Sequence, residues 1–315
     1  MSAFEIRIAT PADAPGIRRL FRRVFGAEMP VEEWEWKFLR DPDGWFGTVA
    51  AVGEEIVGNY AGWAMKFLLD GEERLVYSVG DVATDPSVRA LGGSRGVYRS
   101  MSELFYETVD SRGVPFCFGF PNARALEVSN RIVGTRPLLP IRERHVPCEA
   151  FPAPPPDAAA GDFVEEAFDP LWAEASRFLT HAAVRDRARA NWRFHARPTR
   201  YYRMVWREGS GRMRGWAVLS VVGEKAFVAD FLSERPDGGD LPELFAAAAG
   251  EAKRLGASRV VFWETPGGPG SRWIANLPGE TRDAGFSFVV RSFDVAATDR
   301  FGRRAHLTPA LYDVI

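Results

Sequence analysis

The apolar positions of this 315-residue chain change period several times, and each change marks an element. Phe4 to Ala9 alternates as a first strand does. Thr10-Pro11-Ala12-Asp13 then opens a helix whose apolar residues Ile17, Leu20, Phe21, Val24 and Phe25 recur at helical spacing. A short helix over Val31 to Leu39 follows. Next come a strand around Gly47 to Val52, a tight Gly53-Glu54-Glu55 turn, a strand Ile56 to Leu69, a turn Asp70-Gly71-Glu72-Glu73 and a strand Arg74 to Thr84. Three antiparallel strands therefore lead into a glycine-bearing segment, Arg89-Ala90-Leu91-Gly92-Gly93-Ser94-Arg95-Gly96. Beyond it the pattern gives a helix Arg95 to Val109, an apolar strand Val114 to Phe120, and a helix from Pro121 to Val133 that stops at Gly134.

A weakened version of this pattern returns. Trp36-Lys37-Phe38-Leu39-Arg40-Asp41-Pro42 is matched by Trp192-Arg193-Phe194-His195-Ala196-Arg197-Pro198, with Trp and Pro six positions apart in both. Strands around Arg203 to Arg207, Gly215 to Val222 and Ala226 to Leu232 follow. A helix Pro242 to Leu255, a strand Arg259 to Trp263 and a helix exit at Gly285-Phe286 complete the series. An internal duplication is the simplest account. Between the copies, residues 146–162 are rich in Pro and Ala and lack periodicity, as a semi-rigid linker does. The expected organisation is a first domain over 1–145, a linker over 146–162 and a second domain over 163–315, in keeping with a length that suits two domains.

Composition narrows the function. The chain is 46% hydrophobic and 26% charged, with a formal net charge of -2, so it offers no polycationic surface for nucleic acid. Lysine occurs only at 37, 66, 225 and 253, and arginine supplies the remaining basic residues. We read this as base-composition bias of the source genome. Two cysteines, Cys117 and Cys148, are too few for a disulfide framework, and no apolar run approaches the ~20 residues that span a bilayer. The start Met-Ser-Ala-Phe-Glu-Ile-Arg lacks the apolar core of a signal peptide. A reducing cytoplasm is expected. The four histidines show no ligand spacing, so no metal is implied.

The chemistry concentrates at the glycine-bearing segment. Gly92 and Gly93 permit positive φ and close approach of a ligand, and the helix that follows adds its positive dipole end, an arrangement that binds phosphate. Arg89-Ala90-Leu91-Gly92-Gly93-Ser94 resembles the pyrophosphate loop of the GNAT superfamily of acyl-CoA-dependent N-acyltransferases, written Arg/Gln-x-x-Gly-x-Gly/Ala. The order β-α-α-β-β-β-loop-α-β-α is that family's order. The segment Asn122-Ala123-Arg124-Ala125 also resembles its Asn-x-x-Ala entry into a fourth helix, although Gly134 falls one residue late. The resemblance implies an α/β fold of two tandem GNAT-like domains, each a mixed, mostly antiparallel sheet flanked by helices. It further implies transfer of an acetyl or other short acyl group from acyl-CoA to a small-molecule or peptide amine. A homodimer is compatible with it.

In that reading Val82, Ala83, Thr84, Arg89, Leu91, Gly92, Gly93, Ser94, Arg95, Gly96 and Asn122 bind acetyl-CoA or another acyl-CoA. Asp81 stands where many family members carry a strand carboxylate that accepts a proton or positions water. Gly80 beside it could mark a bulge that splays the strand from its neighbour. The family's frequent general acid, a tyrosine four residues before the helix-ending glycine, is replaced by Asn130 with Ser129 beside it. Trp34, Trp36, Tyr60, Trp63 and Tyr77 are candidates for an acceptor pocket, with core packing the commoner fate of such aromatics.

Two other readings stand beside this one. The missing tyrosine and the serine ending the loop suit a non-catalytic CoA-binding module. Gly92-Gly93-Ser94-Arg95-Gly96 also spells a hydrolase nucleophile elbow, with Ser94 as nucleophile, but an elbow follows its strand directly and here residues 85–91 intervene. In the second copy, Ser233-Glu234-Arg235-Pro236-Asp237-Gly238-Gly239-Asp240-Leu241 occupies the place of a pyrophosphate loop. Its carboxylates repel a pyrophosphate. The second domain is therefore expected to be a degenerate copy that binds no CoA and shapes the acceptor site.

Overall fold

The computed structural model describes residues 4–27, 29–88, 96–161, 167–198, 202–209, 211–235, 240–265 and 267–312. It is a mixed α/β structure with mostly antiparallel strand pairing. Two compact units emerge: Met1–Lys66, Arg74–Leu138 and Phe288–Thr298 form the first, and Phe67–Glu73, Leu139–Ser287 and Asp299–Ile315 the second.

In the first unit, β1 (Glu5–Ile8) pairs antiparallel with β2 (Trp45–Val52), and β2 with β3 (Glu55–Leu69). β4 (Glu72–Thr84) is the next neighbour of β3 and pairs in parallel with β5 (Phe116–Gly119). β3 is buried along almost its whole length, as a strand covered on both faces must be. Helix α1 (Ala14–Phe25) sets Ile17, Leu20 and Phe21 against Val49, Ala51 and Ile56, and ends at Gly26 in the left-handed conformation. Helix α2 (Val31–Phe38) sets Trp34 and Phe38 against Ala61 and Trp63. Helix α3 (Val97–Ser111) covers a separate cluster through Val97, Met101, Phe105 and Val109. It lies so close to β3 that a Cβ at Gly58 or Gly62 would meet Met101 or Phe105 at 2.8 and 3.0 Å. Helix α4 (Ala123–Val133) follows β5 and closes on Gly134 at φ 65°.

The second unit repeats the plan. β7 (Ala158–Gly161) pairs antiparallel with β9 (Arg203–Gly209), β9 with β10 (Arg212–Val222), and β10 with β11 (Lys225–Ser233). Helix α7 (Asp240–Arg254) then carries the chain to β12 (Arg259–Glu264), which runs parallel to β11. Helices α5 (Phe168–Ala175), α6 (Arg187–Ala190) and α8 (Ser271–Asn276) and strand β8 (His181–Ala183) belong to this unit, as does the end of α9 (Val295–Arg304) from Asp299 onward. β8 pairs with the outer end of β3, Phe67–Leu69, which belongs to this unit.

Each unit is completed by a strand from the other half of the sequence. β13 (Glu280–Ser292) places Val289 to Ser292 antiparallel to β5, and β6 (Arg136–Pro147) places Arg142 to Pro147 antiparallel to β12. The units therefore divide after Leu138 and take back residues 288–298, rather than following the contiguous 1–145 and 163–315 expected from the sequence. Residues 146–162, expected as a linker, hold the end of β6 and all of β7. Pro137 and Pro140 disguise β6 because proline cannot donate to a ladder, yet both precede its pairing with β12. The helix exit expected at Gly285-Phe286 is strand: both residues lie within β13, with Gly285 at φ 80°. Trp36 stands in α2, whereas its sequence match Trp192 stands in a π-helical turn, Asn191–His195.

Candidate functional site

The parallel register of β4 and β5 is short. Tyr77 lies opposite Cys117 and Ser78 opposite Phe118, and a Cβ at Gly119 would meet the Val79 carbonyl at 3.0 Å. β5 ends at Gly119 while β4 continues to Thr84, so residues 80–84 extend past the end of their neighbour. On this stretch Ala83 is buried, and Asp81, Val82 and Thr84 are half-buried.

Asp81 adopts φ 51°, one of two non-glycine residues with positive φ among those described. Three groups hold it. The Lys37 ammonium lies 2.6 Å from its Oδ2. The Asn59 side-chain amide donates to its carbonyl at 2.8 Å. Trp63 packs on the preceding Gly80 so closely that a Cβ there would meet the indole at 2.6 Å. The same indole lies beneath Lys37, whose Nζ is 4.5 Å from a ring centroid. The break in β4 thus falls at Asp81, one residue beyond the glycine singled out from sequence. Lys37 and Asn59 were missed. Lys37 sits among aromatics on a helix, and no local spacing links it to a strand carboxylate 44 positions away.

Beyond β4 the chain is anchored by Asp85. Its N–H donates to the Val57 carbonyl at 2.8 Å. One carboxylate oxygen accepts from the Ser87 N–H and hydroxyl at 3.0 and 2.7 Å, and the other from Arg23 Nε at 2.8 Å. Ser87 first and Arg23 second hold the Asp85 carboxyl down at about 2. A 3-10 turn, Pro86–Val88, follows. The expected pyrophosphate-loop residues Arg89, Leu91, Gly92, Gly93, Ser94 and Arg95 lie outside the described residues. Gly96 is the N-cap residue of α3, and no acidic residue occupies the first turn of that helix, whose start at Val97 falls two residues later than expected. The first turn of the helix therefore contributes no carboxylate of its own to offset its partial positive end. A nucleophile elbow does not fit this path, because β4 ends at Thr84 and the 3-10 turn separates it from Ser94.

Asn122, expected to touch the cofactor, caps α4: its Oδ1 accepts from the Ala125 N–H at 3.0 Å. The Asn-x-x-Ala spacing is that of a helix start. Thr135 links Ser129 and Asn130, at 2.8 and 2.9 Å, where a general-acid tyrosine was sought. Trp34, Trp36, Tyr60, Trp63 and Tyr77 are all core residues. The Tyr60 and Tyr106 hydroxyls are 2.7 Å apart, and burial pushes both phenols up. Cys117 and Cys148 are buried free thiols, also pushed up by burial. Among the described residues no cluster of His, Cys, Asp and Glu could hold a metal ion, and no helix is long and apolar enough to cross a membrane.

The second unit offers a counterpart with different electrostatics. Asp230-Phe231-Leu232-Ser233-Glu234 ends β11 as Asp81-Val82-Ala83-Thr84-Asp85 ends β4. The Glu234 N–H donates to the Arg214 carbonyl, as the Asp85 N–H does to Val57. Here the first turn of α7 contains Asp240 and Glu243. Arg214 pairs with Glu234 and Asp240, and Arg207 with Asp157, Asp240 and Glu243. Side chains of the chain itself occupy the charge-binding capacity at this helix end. Asp230 is paired with Arg185, whose Nε lies 2.9 and 3.0 Å from its two oxygens.

Residues 5–128 match the family model described as an acetyltransferase (GNAT) domain. No curated protein matches the chain. Among solved structures, a conserved protein from Enterococcus faecalis V583, described as a probable N-acyltransferase, is similar at TM-score 0.70 and 11% identity, covering 93% of this chain and 74% of that one. A GCN5-related N-acetyltransferase from Anabaena variabilis reaches TM-score 0.69 at 13% identity, over 93% of this chain and 74% of its own. N-myristoyltransferase from Saccharomyces cerevisiae with bound myristoyl-CoA reaches 0.58 at 11% identity, over 92% and 83%. At such identities these likenesses establish the fold. The chain thus has a GNAT-like fold, and its residues 5–128 match the GNAT acetyltransferase domain model.

Proposed function

We propose that this chain, with a GNAT acetyltransferase domain at residues 5–128, moves an acetyl or other short acyl group from acyl-CoA to a primary amine on a small molecule or peptide. The observation that carries the proposal is the stretch of β4 past the end of β5, followed in the sequence by α3, whose first turn holds no acidic residue. The stretch of β4 beyond β5 is a place for the pantetheine arm beside Val82, Ala83 and Thr84. The helix end, with Gly96 and the preceding Arg89, Leu91, Gly92, Gly93, Ser94 and Arg95, is a place for the pyrophosphate. Asn122 is left as a helix cap.

The amine must attack the thioester carbonyl as the neutral base, and an alkyl amine with pKa near 10.4 gives up about 4–5 kcal/mol in losing its proton at pH 7. Asp81 is the group we assign to accept or relay that proton, and the thiolate leaves as CoA. The cytoplasm supplies acyl-CoA and keeps Cys117 and Cys148 reduced, and we place the protein there. The second unit, with Asp240 and Glu243 at its helix end, is proposed to bind no CoA.

The test is a thermal-shift series with acetyl-CoA and longer acyl-CoAs. A ligand at 100 times its dissociation constant adds about 2.7 kcal/mol of stability, and absence of any shift with every acyl-CoA would remove the proposal. A second reading, a CoA-binding module without turnover, is favoured by one observation, the engagement of Asp81 by Lys37. Binding of acetyl-CoA without thiol release towards any amine in a broad panel would select it.

A further inference from the structure

Building on the proposed function, we infer that Lys37 is a positioning residue for acyl-CoA binding, acting through the backbone of Asp81. Non-glycine residues pay for a left-handed conformation, by roughly 1–2 kcal/mol, and such a residue persists only where its surroundings hold it. At Asp81 the surroundings are explicit. Lys37 fixes the carboxylate at 2.6 Å, Asn59 fixes the carbonyl at 2.8 Å, and Trp63 closes over Gly80. Lys37 is itself 5% exposed and is held between the Trp63 face and the carboxylate.

The position of this residue gives the strain its meaning. Positive φ in a strand turns the peptide groups on either side out of the regular alternation. Asp81 lies three residues beyond the last β4–β5 pair, Ser78 with Phe118, near the start of the edge assigned to the pantetheine arm. The cation on α2 therefore sets the direction in which the N–H and C=O groups of residues 80–84 point. The Arg185–Asp230 pair of the second unit supplies a comparison: it too is buried and close, but Asp230 has no positive φ. Of the two paired strand carboxylates, only the one in the unit proposed to bind acyl-CoA has a left-handed backbone.

Glycine adopts positive φ without strain, and this separates the backbone role from every other role of the pair. Acetyl-CoA affinity is measured by calorimetry on the full chain, with a melt on each variant to confirm folding. Lys37→Met and Asp81→Ala are expected to bind acetyl-CoA about 10-fold more weakly, the factor that corresponds to 1.4 kcal/mol. Lys37→Arg should stay within about 3-fold of the parent, and so should Asp81→Gly and the double variant Lys37→Met with Asp81→Gly, because glycine holds the turn unaided. If Lys37→Met fails to fold, the Asp81→Ala and Asp81→Gly pair decides alone.

Equal affinity of Asp81→Ala and the parent would overturn the inference. So would an Asp81→Gly variant as weak as Asp81→Ala, which would assign the effect to the carboxylate. If the parent itself shows no affinity for acetyl-CoA or for any longer acyl-CoA, the proposed function falls and this inference falls with it; if it binds only a longer acyl-CoA, the same variants are compared with that one.

Discussion

Val289 of β13 lies directly opposite Gly119 of β5, so the sheet that begins the sequence is completed by a strand from near its end. Phe288 stacks on Phe118 beside this register, with ring centroids 5.0 Å apart, and both rings are fully buried. A truncated chain of residues 1–145 removes that strand and leaves the β5 edge and its phenylalanines uncovered. It is expected to lack a cooperative thermal transition and to aggregate. In the full chain, Phe288→Ala should cost about 3–5 kcal/mol, read as a shift of the denaturant midpoint. A soluble 1–145 fragment with a sharp melt would show that β13 is dispensable.

The Arg185–Asp230 pair is 3% and 7% exposed at its side chains, which makes it a structural lock. Asp230→Asn leaves the guanidinium buried without its counter-charge and should destabilise by about 3–5 kcal/mol. Replacing both partners together, with Arg185→Met and Asp230→Leu, should recover most of that loss. Acetyl-CoA affinity should be unaffected in the double variant, since this unit is proposed to bind none. A double variant as unstable as the single one would mean that the pair contributes more than mutual neutralisation.

Acid stability should depend on two carboxylates of the first unit. Arg7 holds the Asp13 carboxyl at about 2, chiefly by hydrogen bonding, and Ser87 and Arg23 hold Asp85 there too. Both lie below the unfolded value of about 4. The unfolded chain therefore binds more protons, and the stabilisation is complete above about pH 4 and lost as pH falls through 2. Urea melts between pH 5 and 2 should show this decline, and Asp13→Asn and Asp85→Asn should each flatten part of it. An unchanged slope in both variants would transfer the effect to other groups.

Buried His306 predicts a second loss of stability on acidification, one that begins at a higher pH than that of the carboxylates. Burial, with Arg185 adding to it, pushes its imidazole well below the ordinary value. The unfolded chain takes up a proton near pH 6.5 that the folded chain refuses. Stability linked to this residue is present above about pH 6.5 and falls as the solution is acidified below it. His306→Gln should remove this component from melts recorded between pH 8 and 5, whatever its effect on absolute stability.

For turnover, Asp81→Asn should lower the rate by about 10²-fold or more, because it keeps the shape and removes the basicity. The deficit should shrink as pH rises and the amine sheds its own proton. Near-normal turnover at pH 7 would make Asp81 structural, and Lys37 would then be serving the strand alone.

Much of the first unit was legible because its elements follow one another locally. The alternation and helical spacing that suggested Ile56 to Leu69, Arg74 to Thr84 and Val31 to Leu39 correspond to β3, β4 and α2 within a few residues. Long-range pairings were not legible. β6 carries Pro137 and Pro140 and has no clean alternation, and β13 reads from Gly285 as a helix exit. Their identity as strands rests on β12 and β5, far away in sequence. The site divides the same way. Asp81 and Gly80 stood out as strand residues before a glycine-bearing segment, but Lys37 and Asn59 joined them only through tertiary packing. Asn122 illustrates the converse, a residue matching a family motif whose side chain serves its own helix.

The exchange of final strands also sets a timetable for synthesis. Phe116 to Gly119 leave the ribosome about 170 residues ahead of their partner strand, which at about 5–20 residues per second means an interval on the order of 10 s. Through that interval the β5 edge has only β4 beside it, and an unpaired apolar edge recruits strands from other chains. The newly made chain is thus vulnerable throughout the synthesis of the residues between β5 and β13. A translational pause anywhere between β5 and β13 lengthens this interval, and chaperone occupancy of the β5 edge shields it.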